Sequence, residues 1–195
     1  MSAYKNTIKN YTDAELLKRV KELSSFTHIP CEYWILGIQS NADHLNKFDD
    51  KFYIFYGNKF ILRTFGTTNG GKTGLYNPVN SKGLAVIKTD EWYYDLWKNG
   101  FHKGKMPALV QNRPIKFYRD NNRNSKIEEV GPVYEDFIGI NFHTVSYDKN
   151  AKIIKENIDG WSMGCQVINN TVEYYQILDL LKNQSAITYC LLKEF

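Results

Sequence analysis

The chain of 195 residues is short of several things. It has three cysteines, Cys31, Cys165 and Cys190, too few and too scattered for a disulfide framework or a zinc knuckle. Its four histidines (28, 44, 102 and 143) show neither H-E-x-x-H nor another metal-ligand spacing, which argues against a zinc peptidase and leaves metal and cofactor both at none. No apolar run approaches the ~18 residues that cross a bilayer as a helix, so no membrane span is expected. Met1 to Asn10 is polar, so no export signal is read there. Internal repeats and low-complexity tracts are missing. Acidic residues are scarce between 98 and 126, where eight Lys and Arg face Asp120 alone. That strip could meet nucleic acid or an anionic polymer. Without a recognisable nucleic-acid module it reads as a solvated face balanced by Glu128, Glu129, Glu135 and Asp136, and no nucleic-acid partner is expected.

Aromatics make up 15% of the chain and hydrophobic residues 43%, enough for one globular domain with its own core. Residues 12–25 read as an amphipathic helix. Thr12 and Glu15 form a capping box, and Leu16, Leu17, Val20 and Leu23 share a face. Residues 1–28 are therefore an N-terminal extension packed on a body of 29–195. Strands are expected at 31–38, 51–56, 59–65, 83–87, 108–111, 115–120, 137–142 and 186–192. Gly57-Asn58 joins the second and third, and Asn112-Arg113-Pro114 joins 108–111 to 115–120 as a pair. Thr89 to Trp97 reads as a short capped helix rich in core aromatics. A helix capped by Asn170-Thr171 carries Val172, Tyr175, Ile177, Leu178 and Leu181 on its apolar side. The polar stretch 41–50, with Asp49-Asp50, lacks EF-hand spacing and reads as a solvated loop. The fold class is mainly β with a few helices (α+β).

Two motifs carry chemistry. Gly66 to Thr73 fits G-x-x-x-x-G-K-[ST] letter for letter. A phosphate-cradling loop must open a helix, yet Gly74, Asn77 and Pro78 follow, so a Gly-rich loop between strands is preferred over nucleotide binding by Lys72. The second motif is His143-Thr144 at the end of an apolar run, then Trp161-Ser162-Met163-Gly164-Cys165-Gln166. A thiol becomes nucleophilic beside a base, and Gly164 allows a sharp turn whose N–H groups can face an oxyanion. Cys31 and Cys190 lie among apolar residues and read as buried structural thiols.

The segment 139–168 resembles the signature of the L,D-transpeptidase (YkuD-like) catalytic domain, a His followed by a small residue, a loop, then Ser/Thr-His-Gly-Cys. The likeness extends in outline over residues 60–192. Eighteen residues separate His143 from Ser162, a slightly longer loop than the family's. Met163 stands where the family has a second His, and Gln166-Val167 replaces its usual residues after the Cys. The resemblance implies a YkuD-like β-sandwich or barrel, with the Cys-bearing turn leading into a helix whose N-terminus depresses the thiol pKa. It implies Cys165 as nucleophile, His143 as base with its other ring nitrogen held by the Thr144 carbonyl, Gly164 and Cys165 N–H groups (with Met163) as oxyanion donors, and Ser162 as support of the turn. Trp161, Met163 and Gln166 would meet substrate. His102 either lines the cleft or sits exposed beside Lys103, with exposure or a structural role preferred. By its length alone, the polar stretch 146–157 is long enough to be a flap over the site. The implied partner is the peptide stem of peptidoglycan. Hydrolysis in a phage lysin or delivered toxin, made in the cytoplasm and acting on the wall, is preferred to transpeptidation. A non-enzymatic phage particle or interaction protein that keeps the fold is the third reading.

Overall fold

The computed structural model describes residues 8–42 and 44–195. The first seven residues of the expected extension, most of the polar Met1–Asn10 segment, and Asp43 of the polar stretch lie outside them. Among the described residues the elements are α1 (Asp13–Lys21), β1 (Tyr33–Gln39), β2 (Asp50–Tyr56), β3 (Lys59–Thr67), α2 (Lys72–Tyr76), β4 (Leu84–Ile87) and β5 (Glu91–His102). Then come β6 (Met106–Gln111), β7 (Ile115–Asp120), β8 (Tyr134–Asp136), β9 (Phe142–Thr144), β10 (Gln166–Ile168), α3 (Thr171–Leu181) and β11 (Ile187–Lys193). The protein is mainly β, as composition and patterning predict.

Eight strands close a barrel in the order β1-β11-β5-β6-β9-β10-β3-β2. The remaining three form a small sheet, β4-β7-β8. Strands β1, β2 and β11 are apolar on both faces, which their sequences show as near-continuous hydrophobic runs. Ile35, Phe52, Ile54, Tyr189 and Leu191 belong to the main core. Their neighbours Trp34, Leu36, Tyr53, Phe55, Cys190 and Leu192 form a second cluster with Leu16 and Val20 of α1. The period-two pleat sends alternate residues to opposite sides, so α1 is needed to cover the outer one. Each fully buried aliphatic side chain there stabilises the packing by about 1.5–3 kcal/mol. The Thr12–Glu15 capping box forms as expected.

Several expectations need correction. Residues 91–102 are a strand, not a helix. Trp92 and Tyr94 face the α1 cluster while Tyr93 and Trp97 face the barrel core. Aromatic residues suit a pleated surface with partners on both sides, and β5 has β11 and β6 as neighbours. Strands β6 and β7 do not pair with each other. β6 pairs with β5 and β9, and β7 with β4 and β8, so Asn112-Arg113-Pro114 is a corner between two sheets. Asp49 and Asp50 are buried, not solvated. Asp50 accepts the Ser40 and Thr68 N–H groups and the Thr68 hydroxyl. Cys31 is exposed, because it lies just outside β1, whereas Cys190 is buried as expected. On α3, Val172 faces solvent and Tyr174, Ile177 and Leu181 are the buried positions. Helix α1 ends at Lys21, before Leu23.

Candidate thiol–imidazole site

Strands β9 and β10 run parallel, with Val167 opposite His143 and Gln166 opposite Phe142. This pairing places the residue before β10, Cys165, beside the residue before β9, Asn141. Gln166 N–H donates to the Asn141 carbonyl at 2.9 Å. The chain before β9 is not the strand expected over 137–142. The N–H groups of Ile138, Gly139 and Ile140 all donate to one acceptor, Gln111 Oε1, at 2.8–3.1 Å. Gln111 Nε2 donates to the Arg113 and Asp136 carbonyls. A side chain thus replaces a ladder, and the Gly139 carbonyl is left facing the Cys165 thiol, 3.7 Å away.

His143 is buried, and its Nδ1–H donates to the Thr144 carbonyl at 2.8 Å, the contact the resemblance implies. That bond fixes the tautomer and leaves the Nε2 lone pair without a partner among the described residues. One ligand atom each of His143, His102 and Cys165 lie within 4.8 Å of one another. Burial pulls the His143 imidazole down to about 3, with the neighbouring His102 and Lys103 adding to it and the Thr144 carbonyl opposing. Burial also raises the Cys165 thiol, against the Asn141 backbone and Lys103, which favour the thiolate. The resting pair is therefore neutral thiol and neutral imidazole. The helix does not help the thiol: β10 intervenes, and α3 starts only at Thr171.

The turn itself is built by Ser162. Its Oγ donates to the Cys165 carbonyl at 2.7 Å and accepts the Gly164 N–H at 3.2 Å. Gly164 N–H is thereby engaged and is not a free oxyanion donor, a correction to the expected role. Among the described residues, the Met163 and Cys165 N–H groups have no protein acceptor. Gly164 has φ +119°, and a Cβ there would sit 3.0 Å from the Ala85 carbonyl oxygen, so only glycine fits.

The site opens into a cavity of about 740 Å³, whose lining includes His102, Trp161, Met163 and Cys165. The small sheet forms the facing wall through Ala85, Phe117, Arg119 and Tyr134. Of the expected substrate residues, Trp161, Met163 and His102 reach this cavity. His102 is nearly buried and stacks on His143 with ring centroids 4.1 Å apart, rather than standing exposed beside Lys103. Gln166 does not line it. It is fully buried, donating to the Thr68 carbonyl and accepting from Tyr189 Oη. Residues 146–157 do not line it either. They are tied to the β10–α3 junction by Lys155 N–H to Asn169 O and by Ile153 to Thr171, so they are no flap over this site. Gln111, Asn141 and Gly139 are site residues that local sequence did not single out.

The Gly66–Thr73 loop does open a short helix, α2, contrary to expectation. Four of its N–H groups are nonetheless taken by protein acceptors. Thr68 donates to Asp50, Asn69 to Thr67 Oγ1, Gly71 to the Ser162 carbonyl and Lys72 to Asn46 Oδ1. The loop is a packing surface for the Cys-bearing turn.

The fold and site define a barrel protein with a cysteine–histidine pair at the base of an open cleft. No family model, no curated protein and no solved structure matches the chain. Among the described residues no helix is long and apolar enough to cross a membrane.

Proposed function

We propose that the chain is a cysteine-dependent acyl-transfer enzyme acting on peptide stems of peptidoglycan, with a divergent L,D-transpeptidase (YkuD-like) fold and hydrolysis as its principal outcome. The observation that carries this reading is the His143 geometry. A neutral imidazole with Nδ1–H tied to the Thr144 carbonyl keeps a buried Nε2 without a partner among the described residues, and the ring has a nitrogen within 4.8 Å of the thiol of Cys165, which lines the cavity. In the first step the Sγ proton passes to His143 Nε2 as Sγ bonds to the carbonyl carbon. The Met163 and Cys165 N–H groups receive the oxyanion. The C–N bond then breaks, and the leaving amine takes the proton from His143. Water, or an amine in transpeptidation, releases the acyl group from Cys165. Because the resting pair is neutral, proton transfer accompanies attack instead of preceding it.

A second reading, a phage particle or interaction protein with a silent site, draws on the raised thiol pKa, since an unassisted neutral thiol is a weak nucleophile. Incubation of wild type and Cys165→Ala with purified peptidoglycan and muropeptides, with mass spectrometry of the products, decides between them. Loss of a residue or cross-link by wild type alone supports hydrolysis, and an exchanged residue supports transpeptidation. Unchanged walls across a broad panel would replace both with the silent-site reading.

A further inference from the structure

The two stacked imidazoles of the site are not equivalent. His143 carries its proton on Nδ1, which donates to a carbonyl that can only accept. His102 is wired the other way. Asn141 Oδ1 accepts the Gln111 backbone N–H at 3.3 Å, a group that can only donate, so the Asn141 amide is oriented with Nδ2 toward His102. Nδ2–H then donates to His102 Nδ1 at 3.0 Å, and the His102 proton must reside on Nε2. Among the described residues that Nε2–H has no acceptor, and it belongs to a residue that lines the cavity. One ring keeps a buried lone pair, and the other, which lines the cleft, carries a proton on Nε2.

We propose that His102 is a catalytic hydrogen-bond donor, whose neutral Nε2–H binds the oxyanion that forms when Cys165 attacks a carbonyl. No proton is transferred from His102. The Cys165 proton travels through His143 to the leaving group, while His102 supplies a dipole alongside the Met163 and Cys165 N–H groups. The assignment also weighs against a cation held by His102, His143 and Cys165, although their ligand atoms lie within 4.8 Å of one another. With Nδ1 engaged and Nε2 protonated, His102 has no lone pair to give. The proposal rests on the acyl-transfer reading but not on the identity of the polymer.

Its test compares two reactions of the same thiol. p-Nitrophenyl acetate acylates Cys165 through a tetrahedral oxyanion, and iodoacetamide alkylates it without one. In His102→Ala, acylation should fall by about 10²-fold relative to alkylation, the size expected for one lost oxyanion donor. His102→Gln, which restores an N–H near the Nε2 position, should recover most of that ratio. Long-range ¹⁵N NMR of wild type near neutral pH should show His102 protonated at Nε2 and His143 at Nδ1. An unchanged ratio in His102→Ala, or a His102 proton on Nδ1, would overturn the proposal. So would an equal fall in both reactions, which means that His102 only packs against His143. Absence of Cys165 acylation in wild type would remove the acyl-transfer reading and this inference together. Normal acylation with untouched peptidoglycan would sink only the choice of polymer.

Discussion

Two glycine-bearing turns lie against each other in this protein, and they differ in how many backbone N–H groups their neighbours have taken. In the Gly66–Thr73 loop, which carries the letters of a phosphate-binding motif, the donors of Thr68, Asn69, Gly71 and Lys72 all end on protein acceptors. In the Ser162–Cys165 turn, those of Met163 and Cys165 end on none among the described residues. A motif's letters guarantee flexibility and small size. Whether the site binds an anion depends on where its donors point once the neighbours have taken theirs. Here the first turn is spent on building the second: Gly71 N–H holds the Ser162 carbonyl at 2.9 Å.

The largest effect should come from the chemistry of the second turn. His143→Ala should slow acylation of Cys165 by about 10²–10⁴-fold, the range for a lost general base. The same histidine makes a pH prediction. Its folded pKa, about 3, lies below the ordinary value of 6.5. It therefore contributes stability above pH 6.5 that is lost as pH falls toward 3, because the unfolded chain takes up the proton first. Melting temperatures measured between pH 7 and pH 3 should fall less steeply in His143→Gln. Parallel curves would mean that His143 is hydrated or charged in the folded state.

The next effect tests the support given by the first turn. A Cβ at Gly71 would lie 2.4 Å from the Asp159 carbonyl oxygen and 2.8 Å from Ile158 Cγ2. Gly71→Ala should cost about 1–3 kcal/mol by overpacking, read from urea unfolding. It should also slow Cys165 acylation, since the backbone bond to Ser162 must shift. Lost stability with unchanged acylation would show that the two turns are energetically separate.

How far the sequence spoke depended on how local each feature is. The His143–Thr144 contact was expected only from the family resemblance, whereas the Ser162–Cys165 turn spans a few residues, so a sharp turn at Gly164 could be expected from the residues. The Thr12–Glu15 box and the Gly57-Asn58 hairpin were legible for the same reason. The partners Gln111, Asn141 and His102 come together only through the β5–β6 hairpin and the β6–β9 pairing, which no local pattern encodes. The misread stretch 91–97 had its signal in plain view. Trp92 and Tyr94 alternate with Tyr93, a period of two that a helix would scatter around its axis. Cys31 was misjudged by its apolar neighbours in sequence, since a strand start can expose one residue while burying the next. The small sheet that walls the cleft depends on a corner at Pro114, where adjacent strands part company.

The smallest expected effect is the sharpest test of the contrast between the turns. Lys72 is exposed; its backbone N–H donates to Asn46 Oδ1, and its side chain has no described hydrogen bond or ion pair. Its replacement by alanine should change stability by no more than about 0.5 kcal/mol, as for an isolated surface side chain. ATP with Mg²⁺ should raise the melting temperature of neither wild type nor Lys72→Ala, because a triphosphate entering the loop would find the amides of Thr68, Asn69, Gly71 and Lys72 already bonded. A ligand binding the native state a hundredfold above its Kd adds about 2.7 kcal/mol, well within the reach of a thermal shift. A rise in wild type that disappears in Lys72→Ala would mean that the loop releases its internal bonds to hold phosphate. The two turns would then be rival sites, since freeing Gly71 N–H also frees the Ser162 carbonyl on which the cysteine turn leans.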